Sequence, residues 1–177
     1  HSLSFLFYSQ YFLLFASKFN NRYNMLKIGD KVKDFSFIDD SGNTINFSDY
    51  KGKKVVVFFY PKADTPGCTA EACSLRDNYK EISSLGYSIL GVSADNEKKQ
   101  KSFSDKFNLN FPLIADSEKN VINLFGVWGP KKFMGREYEG ILRTTFIIDE
   151  NAIIKKVIEK VKTKEHAEQV LNILNSL

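Results

Sequence analysis

Cysteine and histidine are scarce, with two of each in 177 residues. Two cysteines are too few for a secreted disulfide scaffold, which points to a reducing compartment. A structural zinc site needs more Cys or His ligands close together, and His1 and His166 both lie far in sequence from Cys68 and Cys73. Four residues separate the two cysteines, so the Cys-x-x-Cys spacing of a thioredoxin-type redox pair is missing too. Long apolar runs are also lacking. The most hydrophobic stretch, Leu3 to Ala16, is broken by Ser4, Ser9 and Gln10 and falls short of a membrane span. There is little excess charge. Lys18 and Arg22 supply two of the net +4 charges, leaving +2 for the rest of the chain, so nothing in the charge argues for nucleic acid. Internal repeats and linkers are absent as well.

What is present suits one soluble domain. Apolar residues at 43% and charged residues at 26% are ordinary for a globular protein, and the length allows a sizeable core. Residues 1–24 differ in composition: rich in Phe, Tyr, Leu, Ser and Asn, with no acidic residue. They read as an N-terminal extension outside the fold, with Met25 as the working initiator. A targeting segment is the alternative, but neither a basic leading region nor a small-residue cleavage site is evident. The folded domain is expected to be 25–177, and the protein cytoplasmic.

Both cysteines fall in Pro61-Lys62-Ala63-Asp64-Thr65-Pro66-Gly67-Cys68-Thr69-Ala70-Glu71-Ala72-Cys73. Before this segment runs Val55-Val56-Val57-Phe58-Phe59-Tyr60, which predicts a buried strand. Pro61, Pro66 and Gly67 force a turn, and the good helix formers from Thr69 onward predict a helix to about Ser84. Cys68 therefore stands where a loop becomes a helix. The unpaired N–H groups and positive dipole end there favour a thiolate, the reactive form of cysteine. Thr65 can aim its hydroxyl at the sulfur or at an oxygen bound beside it.

The remaining pattern is α/β. A hairpin is expected around the Asp40–Asn43 turn, from Gly29–Asp39 and Thr44–Phe47, followed by a helical turn over Ser48–Lys53. Strands are expected at Tyr87–Ser93, Phe111–Asp116, Arg143–Asp149 and Ile153–Glu159. Helices are expected at Asn96–Phe107, around Val121–Phe125, and from a Thr163 cap to Leu177. Such an order gives a sheet covered by helices, and periodicity goes no further.

Pro61-x-x-x-Thr65-x-x-Cys68-x-x-Glu71, directly after a hydrophobic strand, resembles the active-site pattern of the peroxiredoxins. The second cysteine five positions on, in Thr65-Pro66-Gly67-Cys68-Thr69-x-x-Ala72-Cys73, resembles the bacterioferritin comigratory (Q-type) subfamily. The likeness runs from about Ile28 to the C-terminus, through Phe125-Gly126-Val127-Trp128-Gly129, Phe133-Met134-Gly135 and Gly140-Ile141-Leu142-Arg143.

The resemblance implies a thioredoxin-like fold in its peroxiredoxin variant, with a central mixed sheet and an N-terminal hairpin. It also implies a thiol-dependent peroxidase for hydrogen peroxide and organic hydroperoxides, with an antioxidant role. Cys68 would be the peroxidatic residue and Cys73 the resolving one. Thr65 and Arg143 would bind the peroxide, and Pro61 would shield the sulfur. Arg143 suits this role as a permanently charged, multi-donor group, and it opens an otherwise apolar strand, where a charge needs a partner. Glu71 is assigned to hydrogen bonding at the loop and helix end, and His166 to a helix surface. Trp128, Phe133 and Tyr138 are read as core, lid or mouth-lining groups. A thioredoxin-like reductant is the expected partner, to a monomer or weak homodimer, with no metal or other cofactor. A general disulfide oxidoreductase and a non-catalytic binding or holdase protein of the same fold are the alternatives.

Overall fold

The computed structural model describes residues 24–177, so the reading of the preceding segment as an extension lies outside the described residues. Strands β1 (Ser36–Ile38) and β2 (Thr44–Asn46) form the expected antiparallel hairpin, and a 3-10 turn follows at Phe47–Tyr50. Then come β3 (Lys54–Phe59), α1 (Pro66–Asp77), α2 (Tyr79–Ser84), β4 (Tyr87–Ser93), α3 (Glu97–Phe107), β5 (Leu113–Ala115) and α4 (Asn120–Phe125). The chain continues through β6 (Trp128–Phe133), β7 (Arg136–Ile141), β8 (Thr144–Ile148), β9 (Ile154–Ile158), a 3-10 turn at Thr163–Glu165 and α5 (His166–Leu174).

Five strands make the central sheet in the order β5-β4-β3-β8-β9. The pairs β3–β4 and β4–β5 are parallel, whereas β3–β8 and β8–β9 are antiparallel. The sheet is therefore mixed, as expected. Successive residues of a strand face opposite sides, so the apolar run of β3 feeds two cores. Val56, Phe58 and Tyr60 pack with Leu75 of α1, Ile82 of α2, Phe103 of α3 and Val170 of α5. Val55, Val57 and Phe59 pack on the other side with Phe37, Ile122 and Phe125. A central strand covered on both faces reads as a continuous hydrophobic run for this reason.

Several elements differ from expectation. The helix after the cysteine loop is two helices. Asn78 leaves the helical region at φ −110°, ψ 12°, and its side-chain amide donates to the Ser74 carbonyl at 2.9 Å. Strand β5 is shorter than Phe111–Asp116 because Pro112 has no N–H to give the ladder. Thr163 does not cap the last helix. It opens the short 3-10 turn, and α5 ends at Leu174. The β6–β7 hairpin was missed altogether. Its closing pair is Phe133–Arg136, and its turn residues Met134 and Gly135 both have positive φ, 48° and 78°. Two positive-φ residues suit a tight hairpin, for which Asn-Gly is the usual signal, and Met-Gly hides it. Most of its side chains are exposed, so no alternation marks the strands.

Candidate active site

The loop between β3 and α1 is held from both ends. Tyr60 extends the strand by donating its N–H to the Val92 carbonyl at 3.0 Å, and the Ala63 N–H reaches the Asp95 carboxylate at 2.7 Å. Asp64 takes a left-handed conformation, φ 59°, with its carboxylate against Lys106 Nζ at 2.9 Å. Thr65 is extended and Pro66 takes the first helical position, where its missing N–H costs nothing. The Thr69 N–H closes the first turn onto the Thr65 carbonyl at 2.8 Å. Cys68 is thereby fixed in the first turn of α1, 1% exposed.

Arg143 arrives from the other side, on the residue before β8. Its Nη2 lies 3.4 Å from Cys68 Sγ, and its Nη1 donates to Glu71 Oε2. Gly67 permits this approach, since a Cβ there would stand 3.3 Å from Nη2. Glu71 is completely buried and lies three residues after Cys68, a spacing that puts both on one helix face. It holds Arg143 and does not serve the helix end, which corrects the sequence assignment. Burial pushes its carboxyl up to about 7, against the lowering effect of Arg143. For Arg143, burial works against the charge, but Glu71 and Cys68 outweigh it and raise its pKa.

His166 is also corrected. It is fully buried, with Nε2 2.8 Å from the Thr145 hydroxyl and 3.7 Å from Glu71 Oε1. Burial lowers its pKa to about 4, opposed by Gln169 and aided by Arg143. A signal for this was available: His166, Val170 and Leu174 recur every four residues, the buried stripe of α5. Lys131 of β6 is a further cation that the sequence reading passed over. It donates to the Ile141 carbonyl at 3.0 Å, and burial first, then Arg143, lowers its pKa.

The other expected site residues stand as follows. The Thr65 hydroxyl donates to the Lys62 carbonyl at 2.8 Å, not to the sulfur. Pro61 is half-buried at the head of the loop. Cys73 lies in the same helix as Cys68, half-buried, and both thiols are free. Trp128 is half-buried with Lys119 Nζ 4.5 Å from its ring centre, while Phe133 and Tyr138 are exposed on the hairpin. Among the described residues no three His, Cys, Asp or Glu side chains converge as a metal site would require, and no helix is long and apolar enough to cross a membrane.

The AhpC/TSA family model matches residues 28–157. The chain belongs to the AhpC/TSA family, the peroxiredoxins. It is 45% identical over 154 residues to the putative peroxiredoxin Bcp of Haemophilus influenzae, covering 87% of this chain and 99% of that one. To peroxiredoxin Bcp of Escherichia coli K12 it is 46% identical over 151 residues, covering 85% and 97%. The solved peroxidoxin BcpB of Mycobacterium tuberculosis superposes with a TM-score of 0.76 at 36% identity, over 86% and 98% of the two chains. A bacterioferritin comigratory protein of Xanthomonas campestris, solved as trapped intermediate and ligand complexes bearing on alkyl peroxide reduction, gives 0.75 at 32%, over 80% and 90%. This peroxiredoxin has the thioredoxin-like fold and is a thiol-dependent peroxidase, an oxidoreductase.

Proposed function

We propose that Cys68 is the peroxidatic residue and Cys73 the resolving one. The observation that carries this reading is the Arg143 guanidinium 3.4 Å from a buried sulfur in the first turn of a helix. A cation held there stabilises a thiolate, and then the negative charge that grows on a departing peroxide oxygen. The thiolate attacks one peroxide oxygen. The S–O bond forms as the O–O bond breaks, sulfur gives up the electron pair, and the leaving oxygen takes a proton to become water or alcohol. The product on Cys68 is sulfenic acid. Thr65 accepts a hydrogen bond from the peroxide, and Pro61 keeps water from the sulfur.

Cys73 then attacks the sulfenic sulfur, releasing water and forming an intramolecular disulfide. A thioredoxin-type dithiol reduces that bond by exchange. Hydrogen peroxide and alkyl hydroperoxides are the substrate class. Both cysteines sit on one helix, so the cycle needs no second chain and runs in a monomer or weak homodimer. Residues 25–177 form the catalytic unit, and a thioredoxin-type reductant fits the cytoplasm.

Peroxide consumption by the Cys68→Ser protein, with a thioredoxin system present, tests the reading. Activity should vanish, because Cys73 lies outside the Arg143 contact. Retained turnover would move the nucleophile elsewhere.

A further inference from the structure

Behind the sulfur lies a buried junction that the peroxidase cycle leaves unexplained. Glu71 Oε1 is fully buried with no hydrogen-bond partner, and His166 Nε2 stands 3.7 Å from it. The protonation of that nitrogen follows from Gln169. The Gln169 Oε1 accepts the Lys162 N–H at 2.8 Å, and its Nε2 donates to the Lys160 carbonyl at 3.0 Å. These two backbone groups fix which end of the amide is oxygen. The oxygen faces His166 Nδ1 at 3.1 Å, so Nδ1 carries a hydrogen. In the neutral ring Nε2 is then an acceptor, and the Thr145 hydroxyl donates to it.

A carboxylate oxygen without a donor and an imidazole nitrogen whose lone pair already takes the Thr145 hydroxyl thus stand 3.7 Å apart in a buried site. One proton on the pair, carried by either group, removes the uncompensated negative charge from that site. We propose that Glu71 and His166 hold one proton as a pair, and that this proton leaves the Arg143 charge to the sulfur of Cys68. An ionised Glu71 with neutral His166 would neutralise Arg143 on one side while the thiolate competes on the other. With the proton in place the pair is neutral overall, and the guanidinium serves mainly the sulfur. His166 is a positioning residue, acting through Glu71 on Arg143. Burial raises the Glu71 carboxyl to about 7 and lowers the His166 ring to about 4, so between those values the pair carries one proton, on Glu71.

The charged groups around the junction are few among the described residues. Arg143 faces it from the approach to β8, His166 from α5 and Cys68 from the preceding turn of α1, with Lys131 of β6 beyond Arg143. The inference rests on Cys68 being the peroxidatic residue, but its test does not read turnover alone.

Infrared difference spectra of the reduced protein should show a protonated-carboxyl band below neutral pH that disappears as pH rises through about 7. Isotope-labelled glutamate separates it from Asp116, whose buried carboxyl is also raised. Nitrogen NMR of His166 should show the Nδ1–H tautomer, with an Nε2 signal that moves at the same midpoint as the band. In Cys68→Ser the midpoint should fall, since a neighbouring negative charge is gone. The peroxide rate should decline above the midpoint in the wild type and lose that limb in Glu71→Gln. A Glu71 carboxyl already ionised at low pH, an Nε2–H tautomer, or a limb that persists in Glu71→Gln would overturn the shared proton. Turnover by Cys68→Ser would instead overturn the assignment of the nucleophile, leaving the infrared result standing.

Discussion

Replacing Glu71 with Gln should expose a pH dependence of folding that the wild type conceals. The Glu71 carboxyl moves from its ordinary 4.5 to about 7 in the folded protein, and His166 from 6.5 to about 4. For Glu71 the neutral form is favoured on folding. Its contribution is full below pH 4.5 and is lost as pH rises to about 7. His166 is also favoured neutral, so its contribution is full above pH 6.5 and is lost as pH falls to about 4. Each shift corresponds to about 3 kcal/mol. Between roughly pH 4.5 and 6.5 the folded pair holds one proton, and the unfolded chain holds one on His166. The counts match, so the two slopes cancel.

In Glu71→Gln only the histidine slope remains. Urea unfolding from about pH 4 to 8 would measure it, with m-values compared to check that the transition stays two-state. Relative to wild type, the variant should gain about 3 kcal/mol as pH rises from 4.5 to 7. A difference curve that stays flat over that range would refute the reasoning.

Arg143→Met should slow the reaction with peroxide by about 10²–10³-fold, the usual cost of one well-placed donor to a developing anion; a rate within about twofold of wild type in stopped flow would make Arg143 structural. Cys73→Ser should consume one equivalent of peroxide, retain sulfenic acid by mass spectrometry and fail to turn over with thioredoxin, whereas full steady-state activity would assign resolution to an external thiol. Disulfide formation should open the start of α1. Five residues of regular helix put the two Cα atoms about 8.7 Å apart on diverging faces, beyond the ~7 Å a disulfide spans. Exposing Cys68 and Ala72 costs about 2 kcal/mol, so the opened helix is a minor state of the reduced protein, at roughly one part in thirty. Oxidation should therefore raise amide exchange over residues 68–77, and a bridged pair with unchanged protection there would contradict this.

The strand-loop-helix around Cys68 was legible because each step has a local cause: six apolar residues, two prolines and a glycine, then helix formers. The sheet was legible for the same reason, as β3, β4 and β8 are largely buried on both faces and are rich in β-branched and aliphatic residues. The β6–β7 hairpin was not. Most of its side chains are exposed on both faces and its turn is Met-Gly, so neither alternation nor turn chemistry announces it. Arg143 could be singled out as a charge opening an apolar strand, but not its second partner. Glu71 and His166 are 95 residues apart, and only the docking of α5 onto α1, fixed in part by the Ala167 N–H on Ser74 Oγ at 3.0 Å, brings them together. A buried carboxylate and a buried imidazole look like surface residues in sequence, because each is polar and each lies on an amphipathic helix. The four-residue recurrence of His166, Val170 and Leu174 was the one available hint.

The central claim is that the Cys68 sulfur performs the chemistry. Adding one equivalent of hydrogen peroxide to the fully reduced protein, quenching within the first turnover and mapping the modified thiols by mass spectrometry tests it directly. Sulfenic acid should appear first on Cys68 and pass into a Cys68–Cys73 disulfide with the loss of both free thiols. Oxidation that begins on Cys73, or peroxide consumed with Cys68 still a free thiol, would contradict the account.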